Sequence, residues 1–142
     1  MKISTGVVVG PVLSVQGLSR WAVIGDVTNR NKPAFRVAER LKQSGRDVYL
    51  VTPYTRADIS ESGDILYRQL SDIPVQVKID AVNLIISPRA GVKALEQMKE
   101  RGIRFCFMQP GADTSDVVDK AKELGITFQR GCVLVEELPS LN

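Results

Sequence analysis

The run Trp21-Ala22-Val23-Ile24-Gly25-Asp26, followed by Lys32-Pro33-Ala34-Phe35 and Val37-Ala38-Glu39-Arg40-Leu41, gathers groups suited to holding an anion. It reads as an apolar strand, a short polar loop and the opening of a helix. Such a turn aims backbone N–H groups and the positive end of a helix dipole at one point, which suits phosphate. Arg30 and Lys32 stand in the loop as cationic partners. A small-molecule nucleotide is therefore the expected ligand. The loop matches neither common phosphate motif. Asp26, Val27, Thr28, Asn29, Arg30 and Asn31 follow Gly25 without the second glycine of a dinucleotide fingerprint or the Gly-Lys-Ser/Thr of a P-loop. Thr52 stands where an acidic residue would hold a ribose 2′-hydroxyl, so NAD(P) is the weaker alternative.

Residues for bond-making chemistry are sparse. The chain contains no histidine, which excludes the usual zinc sites and every histidine-based catalytic arrangement. Its two cysteines form no CxxC or Cys/His pattern. Cys106, inside Phe105-Cys106-Phe107, reads as core; Cys132 follows Arg130-Gly131, where a nearby cation favours a thiolate. Asp72, Asp80, Glu136 and Glu137 lack the paired spacing of general acid–base work and read as caps and surface. No catalytic or metal-binding constellation is expected.

The elements that must position the loop follow from short apolar runs and their punctuation. Ala22 to Gly25 is a buried strand. Pro33 suits a first helical position, with Phe35, Ala38 and Leu41 on one face, Val37 beside them and Gly45 as the stop. Asp47 to Thr52 is a second strand halted by Pro53, Tyr54 to Gly63 a loop, and Ile65 to Leu70 one or two helical turns. Ile79 to Ile86 forms a strand stopped by Ser87-Pro88. A helix from Pro88 to about Arg101 carries Val92, Leu95 and Met98 inward. Ile103 to Met108 is strand-like and closes at Gln109-Pro110-Gly111. Thr114 caps a helix bearing Val117, Val118, Ala121 and Leu124, and Ile126 to Gln129 is the last strand. Cys132 to Leu138 is an apolar-acidic tail.

Alternating strands and helices imply parallel pairing through right-handed crossovers, and strands apolar on both faces imply helices above and below. The expected fold is α/β, a Rossmann-like three-layer sandwich with a parallel sheet of about five strands. Met1 to Ser19 does not fit that alternation and reads as an extended segment or hairpin. Its apolar run suits an added edge strand across a homodimer interface. The chain's 142 residues are expected to form a single domain. A formal charge of +3 spread without a basic, aromatic stripe argues against nucleic acid. No run is long enough to cross a membrane and none resembles a cleavable leader, so a cytoplasmic location is expected. In such a sheet the ligand crevice lies at the carboxyl ends of the strands. That rule nominates Gly25 to Phe35, Thr52-Pro53, Ser87-Pro88 and Gln109-Pro110-Gly111.

These residues in this order resemble the CoA-binding domain family, the small Rossmann-like domain that occurs alone in bacteria and opens the succinyl-CoA synthetase α-subunit. The likeness is carried by Gly25, Lys32-Pro33-Ala34-Phe35, Thr52-Pro53, Leu70-Ser71-Asp72-Ile73-Pro74 before Asp80, Ser87-Pro88, Met108-Gln109-Pro110-Gly111, and Arg130-Gly131-Cys132 with Glu136. It runs from about Ser19 to Leu138. The resemblance implies a cleft for CoA or an acyl-CoA. Gly25 and the Asp26 to Lys32 loop (with Val27, Thr28 and Arg30) would face the diphosphate above Pro33 and Phe35. Thr52 and Pro53 would lie near adenine or ribose, Ser87 and Pro88 on the third side, and Gln109 and Gly111 by the pantetheine. The chain departs from the family pattern in four ways. Asp26 replaces the usual hydroxyl residue, Thr-Pro replaces Asn-Pro, Gly131 separates Arg130 from Cys132, and the N-terminal segment differs. The leading expectation is a non-catalytic CoA-binding module. A small NAD(P)-linked or synthetase-like subunit needing a partner, and a scaffold that has lost its ligand, are the alternatives.

Overall fold

The computed structural model describes residues 18–131. The expected N-terminal extension, Cys132 and the acidic tail with Glu136 and Glu137 lie outside the described residues. Chain order is β1 (Arg20–Gly25), α1 (Pro33–Gln43), β2 (Asp47–Val51), β3 (Leu66–Tyr67), a 3₁₀ turn (Leu70–Asp72), β4 (Ala81–Ile85), α2 (Pro88–Arg101), β5 (Phe105–Met108), α3 (Ser115–Leu124) and β6 (Thr127–Arg130). All strand pairs are parallel, in the order β3-β2-β1-β4-β5-β6. The chain reverses direction across the sheet between β1 and β4, the position at which open α/β sheets bind ligands.

Alternation along the strands sends Trp21 and Val23 to one face and Ala22 and Ile24 to the other. On the first face, Trp21, Val23, Leu50, Phe105 and Phe107 pack with Val37, Ala38 and Leu41 of α1. On the second, Ala22, Ile24, Val82, Leu84, Cys106 and Met108 pack under Leu95, Met98, Val117 and Ala121 of α2 and α3. The result is the expected three-layer α/β arrangement. α2 packs on α3 at Gly91, where a Cβ would sit in ordinary contact, 3.4 Å from Val117 Cγ2.

Three local expectations are revised. The sheet has six strands rather than about five. The extra strand is β3, where Leu66 and Tyr67 pair with Leu50 and Val51 instead of starting a helical turn. Helical geometry is confined to the 3₁₀ turn after it. Val92 does face the core but packs half-buried at its margin, while Gly91, Ala94, Leu95 and Met98 form the fully buried side of α2. Thr114 occupies the N-cap position of α3 but its side chain makes no capping hydrogen bond.

Candidate functional site

Two helices begin at the carboxyl edge of the sheet beside the β1–β4 crossover, and both begin alike. The N-cap residue of α1 is Lys32 and that of α2 is Ser87; each is followed by proline, and neither side chain accepts a hydrogen bond from its helix. Neither helix has an acidic residue in its first turn, whereas α3, further from the crossover, carries Asp116 there. Early N–H groups of an α-helix have no partner within the helix, so these two ends present unclaimed donors and two positive dipole ends. Lys32, Pro33 and Ser87 all line one cavity of about 430 Å³.

That cavity is walled by the ends of β1 and β4 and by the turn after β5. Asp26, Tyr54, Ile85, Ile86, Pro110, Gly111 and Ala112 complete most of its lining. Asp26 lines the cavity, and among the described residues its side chain accepts no hydrogen bond, so it leaves the α1 amides open. Gly25 forms the floor of the loop: a Cβ at this position would lie 2.3 Å from the carbonyl oxygen of Ile85 and 3.1 Å from Cβ of Ala34. Only a glycine lets the loop and α1 descend this close to β4. Gly111 adopts φ 97°, and its N–H donates to Oδ1 of Asp113 at 3.1 Å. Arg130 Nε donates to Oδ2 of the same Asp113 at 3.1 Å, tying β6 to the turn.

The sequence-nominated residues do not all share this cavity. Asp26, Lys32, Pro33, Ser87 and Gly111 do. Val27, Thr28, Arg30 and Phe35 instead line a second cavity of about 230 Å³ between α1 and the loop that precedes β3. There the Arg30 guanidinium lies 5.7 Å from the Phe35 ring centroid. The second cavity also holds Lys42, whose Nζ lies 2.7 Å from Asp64 and 3.3 Å from Glu39. Burial pulls the Lys42 pKa down, but the two carboxylates outweigh it and the net shift is upward.

Pro53 lines a third cavity of about 200 Å³ beside α2. Thr52 is engaged locally: its N–H donates to the Tyr67 carbonyl at 2.7 Å and its Oγ1 accepts from Tyr54 N–H at 3.2 Å. Gln109 is buried, with its N–H donating to the Leu84 carbonyl at 3.1 Å. Pro88 is the first residue of α2. The nomination missed Ala112, Tyr54, Ile85 and Ile86. The last two were visible as the end of an apolar run reaching the strand tip, and Tyr54 as an exposed aromatic directly after Pro53.

The residues suited to chemistry lie elsewhere. Asp80 is at the amino end of β4, where its Oδ2 accepts from the N–H groups of Ser19 and Arg20 at 3.3 and 2.9 Å. Cys106 is fully buried, and burial pushes its thiol far above the ordinary range. Among the described residues there is no cluster of metal-ligating side chains, and no helix long and apolar enough to cross a membrane.

Comparison with curated proteins finds no match. Among solved structures, the chain is similar to a hypothetical protein from Pyrococcus horikoshii OT3, at 25% identity and a TM-score of 0.72, over 82% of this chain and 78% of that one. A conserved hypothetical protein from Pyrococcus furiosus matches at 23% identity and a TM-score of 0.73, over 84% and 99%. A dinucleotide-forming acetyl-coenzyme A synthetase 1 from Ca. Korarchaeum cryptofilum, solved with phosphate and ADP, shares the fold at 21% identity and a TM-score of 0.63. There 78% of this chain matches 25% of the longer one. The family model described as the CoA binding domain matches residues 19–137, from the strand that carries Gly25 to the segment beyond β6, and the chain belongs to that family.

Proposed function

We propose that this protein binds coenzyme A or an acyl-CoA across the carboxyl edge of its sheet and performs no chemistry on it. One observation carries the reading: two helices without caps, α1 at Lys32-Pro33 and α2 at Ser87-Pro88, open on a single cavity at the crossover. A diphosphate is a compact double anion, and two convergent helix ends offer it N–H donors and favourable dipoles from two sides. Lys32 adds a full positive charge at the same place. The apolar surface formed by Ile85, Ile86, Pro110 and Ala112 suits the uncharged pantetheine arm. A passive role agrees with the chain's lack of histidine, the buried Cys106 thiol and the structural use of Asp80 at the opposite end of the sheet.

Thermal unfolding with CoA, acetyl-CoA, ADP, NAD and NADP tests this. Ligand at about 100 times Kd adds roughly 2.7 kcal/mol, a rise of about 5–10 °C for a chain of this size. CoA and acetyl-CoA are expected to raise the midpoint. Stabilisation by NAD with none by CoA would overturn the reading.

A further inference from the structure

We infer that Arg68 and Lys93 form the subsite that reads the 3′-phosphate on the coenzyme's ribose, so that they select CoA over adenine nucleotides lacking that group; this rests on the CoA reading above. The third cavity lies beside the carboxyl ends of β1 and β2, with Ile24, Val51 and Ile86 as an apolar floor and Leu70 and Ala94 as walls. It adjoins the crossover cavity, because Ile86 lines both. A ligand whose diphosphate rests on the helix ends therefore reaches it by extending one group further, and a flat aromatic base fits an apolar slot of about 200 Å³.

Charge distinguishes this cavity from its neighbours. The crossover cavity includes Asp26, and the one beside α1 includes Glu39, Glu61 and Asp64. The third is lined by two cations and by no carboxylate. Arg68 arrives from just past β3 and Lys93 from α2, so two elements bring positive charge to one rim. The rim is fixed by Gln97, whose Nε2 donates to Oε1 of Gln69 at 3.0 Å and whose Oε1 accepts from Ser71 N–H at 3.3 Å. Arg68 donates through Nη2 to the Arg56 carbonyl and is paired with Asp58 at 3.5 Å, with side chains 45% and 89% exposed. An ion pair that open is weak, so an incoming phosphate dianion can displace Asp58. Lys93 has no ion pair among the described residues. A phosphate on a ribose seated at the mouth of this slot would lie between the two cations.

Titration calorimetry with the whole chain tests the assignment, using CoA, 3′-dephospho-CoA, adenosine 3′,5′-bisphosphate, ADP and NADP. Wild type is expected to bind CoA roughly tenfold or more tighter than dephospho-CoA, the effect of losing charge-assisted hydrogen bonds. Adenosine 3′,5′-bisphosphate should exceed ADP by a similar factor. Both preferences should disappear in the Arg68→Gln/Lys93→Gln variant, whose affinity for dephospho-CoA should equal that of wild type. Equal binding of CoA and dephospho-CoA by wild type, or a preference that survives the double substitution, overturns the inference while leaving CoA binding intact. Absence of any CoA binding, or tighter binding of NADP, removes both.

Discussion

Gly25 and Ile85 meet at the end of the β1–β4 pair, where a Cβ on residue 25 would come within 2.3 Å of the Ile85 carbonyl oxygen. The obstacle is backbone on a central strand, so it cannot swing aside. Gly25→Ala is expected to cost about 1–3 kcal/mol and to displace the phosphate loop. Gly91→Ala is the control: its Cβ would be in ordinary contact with the Val117 side chain at 3.4 Å, and alanine is the better helix former. Chemical denaturation should show a large loss at residue 25 and little or none at residue 91. Equal losses would mean that the loop tolerates retreat from β4.

The open amides of α1 give an opposed pair of effects at Lys32. This residue has φ −103° and ψ 149°, the extended conformation of a capping residue, yet supplies no capping oxygen. Lys32→Asp is expected to cap α1 and stabilise the ligand-free protein by about 0.5–2 kcal/mol. The same carboxylate would occupy the amides and repel an anion, so stabilisation by CoA should fall. Lys32→Ser separates capping from charge and should lie between. Stronger CoA binding by the aspartate variant would rule out an anion at this helix end.

How far the site was legible depends on helix geometry. Pro33 marked the start of α1 correctly because its fixed φ and missing N–H cost nothing there. The carboxyl-edge rule and the family resemblance both group Phe35 with it. Successive helical residues turn by about 100°, so positions two apart look in nearly opposite directions. Pro33 therefore faces the crossover cavity and Phe35 the one beyond α1. β3 escaped notice for another reason. Two residues carry no periodicity, and Leu66 is buried only because β2 and α1 are already in place. The longer strands and helices announced themselves by apolar runs and by terminal proline and glycine.

Asn83 and Gln129 were part of those runs but break their chemistry. Both pair across β5 with Phe107, both are fully buried, and neither side-chain amide has a hydrogen-bond partner among the described residues. A buried polar group without a partner costs about 1–3 kcal/mol. Asn83→Leu, which keeps a similar shape, is therefore expected to raise the unfolding free energy by about that amount. A loss of stability instead would show that the amide is satisfied in solution.

Cys106 predicts an alkaline weakness. Burial holds its thiol protonated in the folded protein, while the unfolded thiol ionises near the ordinary value of about 8.5. The folded state thus retains a proton that the unfolded state releases. The stability from this group is complete below that value and declines as pH rises above it. Near pH 9.5 the loss should be roughly 1 kcal/mol relative to neutral pH. Urea unfolding of wild type and Cys106→Ala at the two pH values isolates it, since other groups titrate in both. If the two proteins lose stability in parallel, the thiol is not held protonated by folding.

Arg101 joins Gln97 in holding the Leu70 to Pro74 segment against α2. Its Nη1 donates to the carbonyl of Ile73 at 2.5 Å and lies 3.5 Å from that of Leu70. Its Nη2 donates to those of Pro74 and Val77 at 2.9 and 3.1 Å. The carbonyls of Leu70 and Pro74 also accept turn bonds from the N–H groups of Ile73 and Val77, at 3.2 and 3.0 Å, and one planar cation in the last turn of α2 gathers all four carbonyls. Leu70 is also a wall of the third cavity, which links this clamp to the ligand. Arg101→Lys keeps the charge and loses the fork. It is expected to cost about 2 kcal/mol, since several charged hydrogen bonds go together but the group is partly exposed. Hydrogen exchange should then accelerate at residues 70–77 before it does so in β1 or β4, and CoA should bind more weakly. Unchanged exchange in that segment would place its support elsewhere.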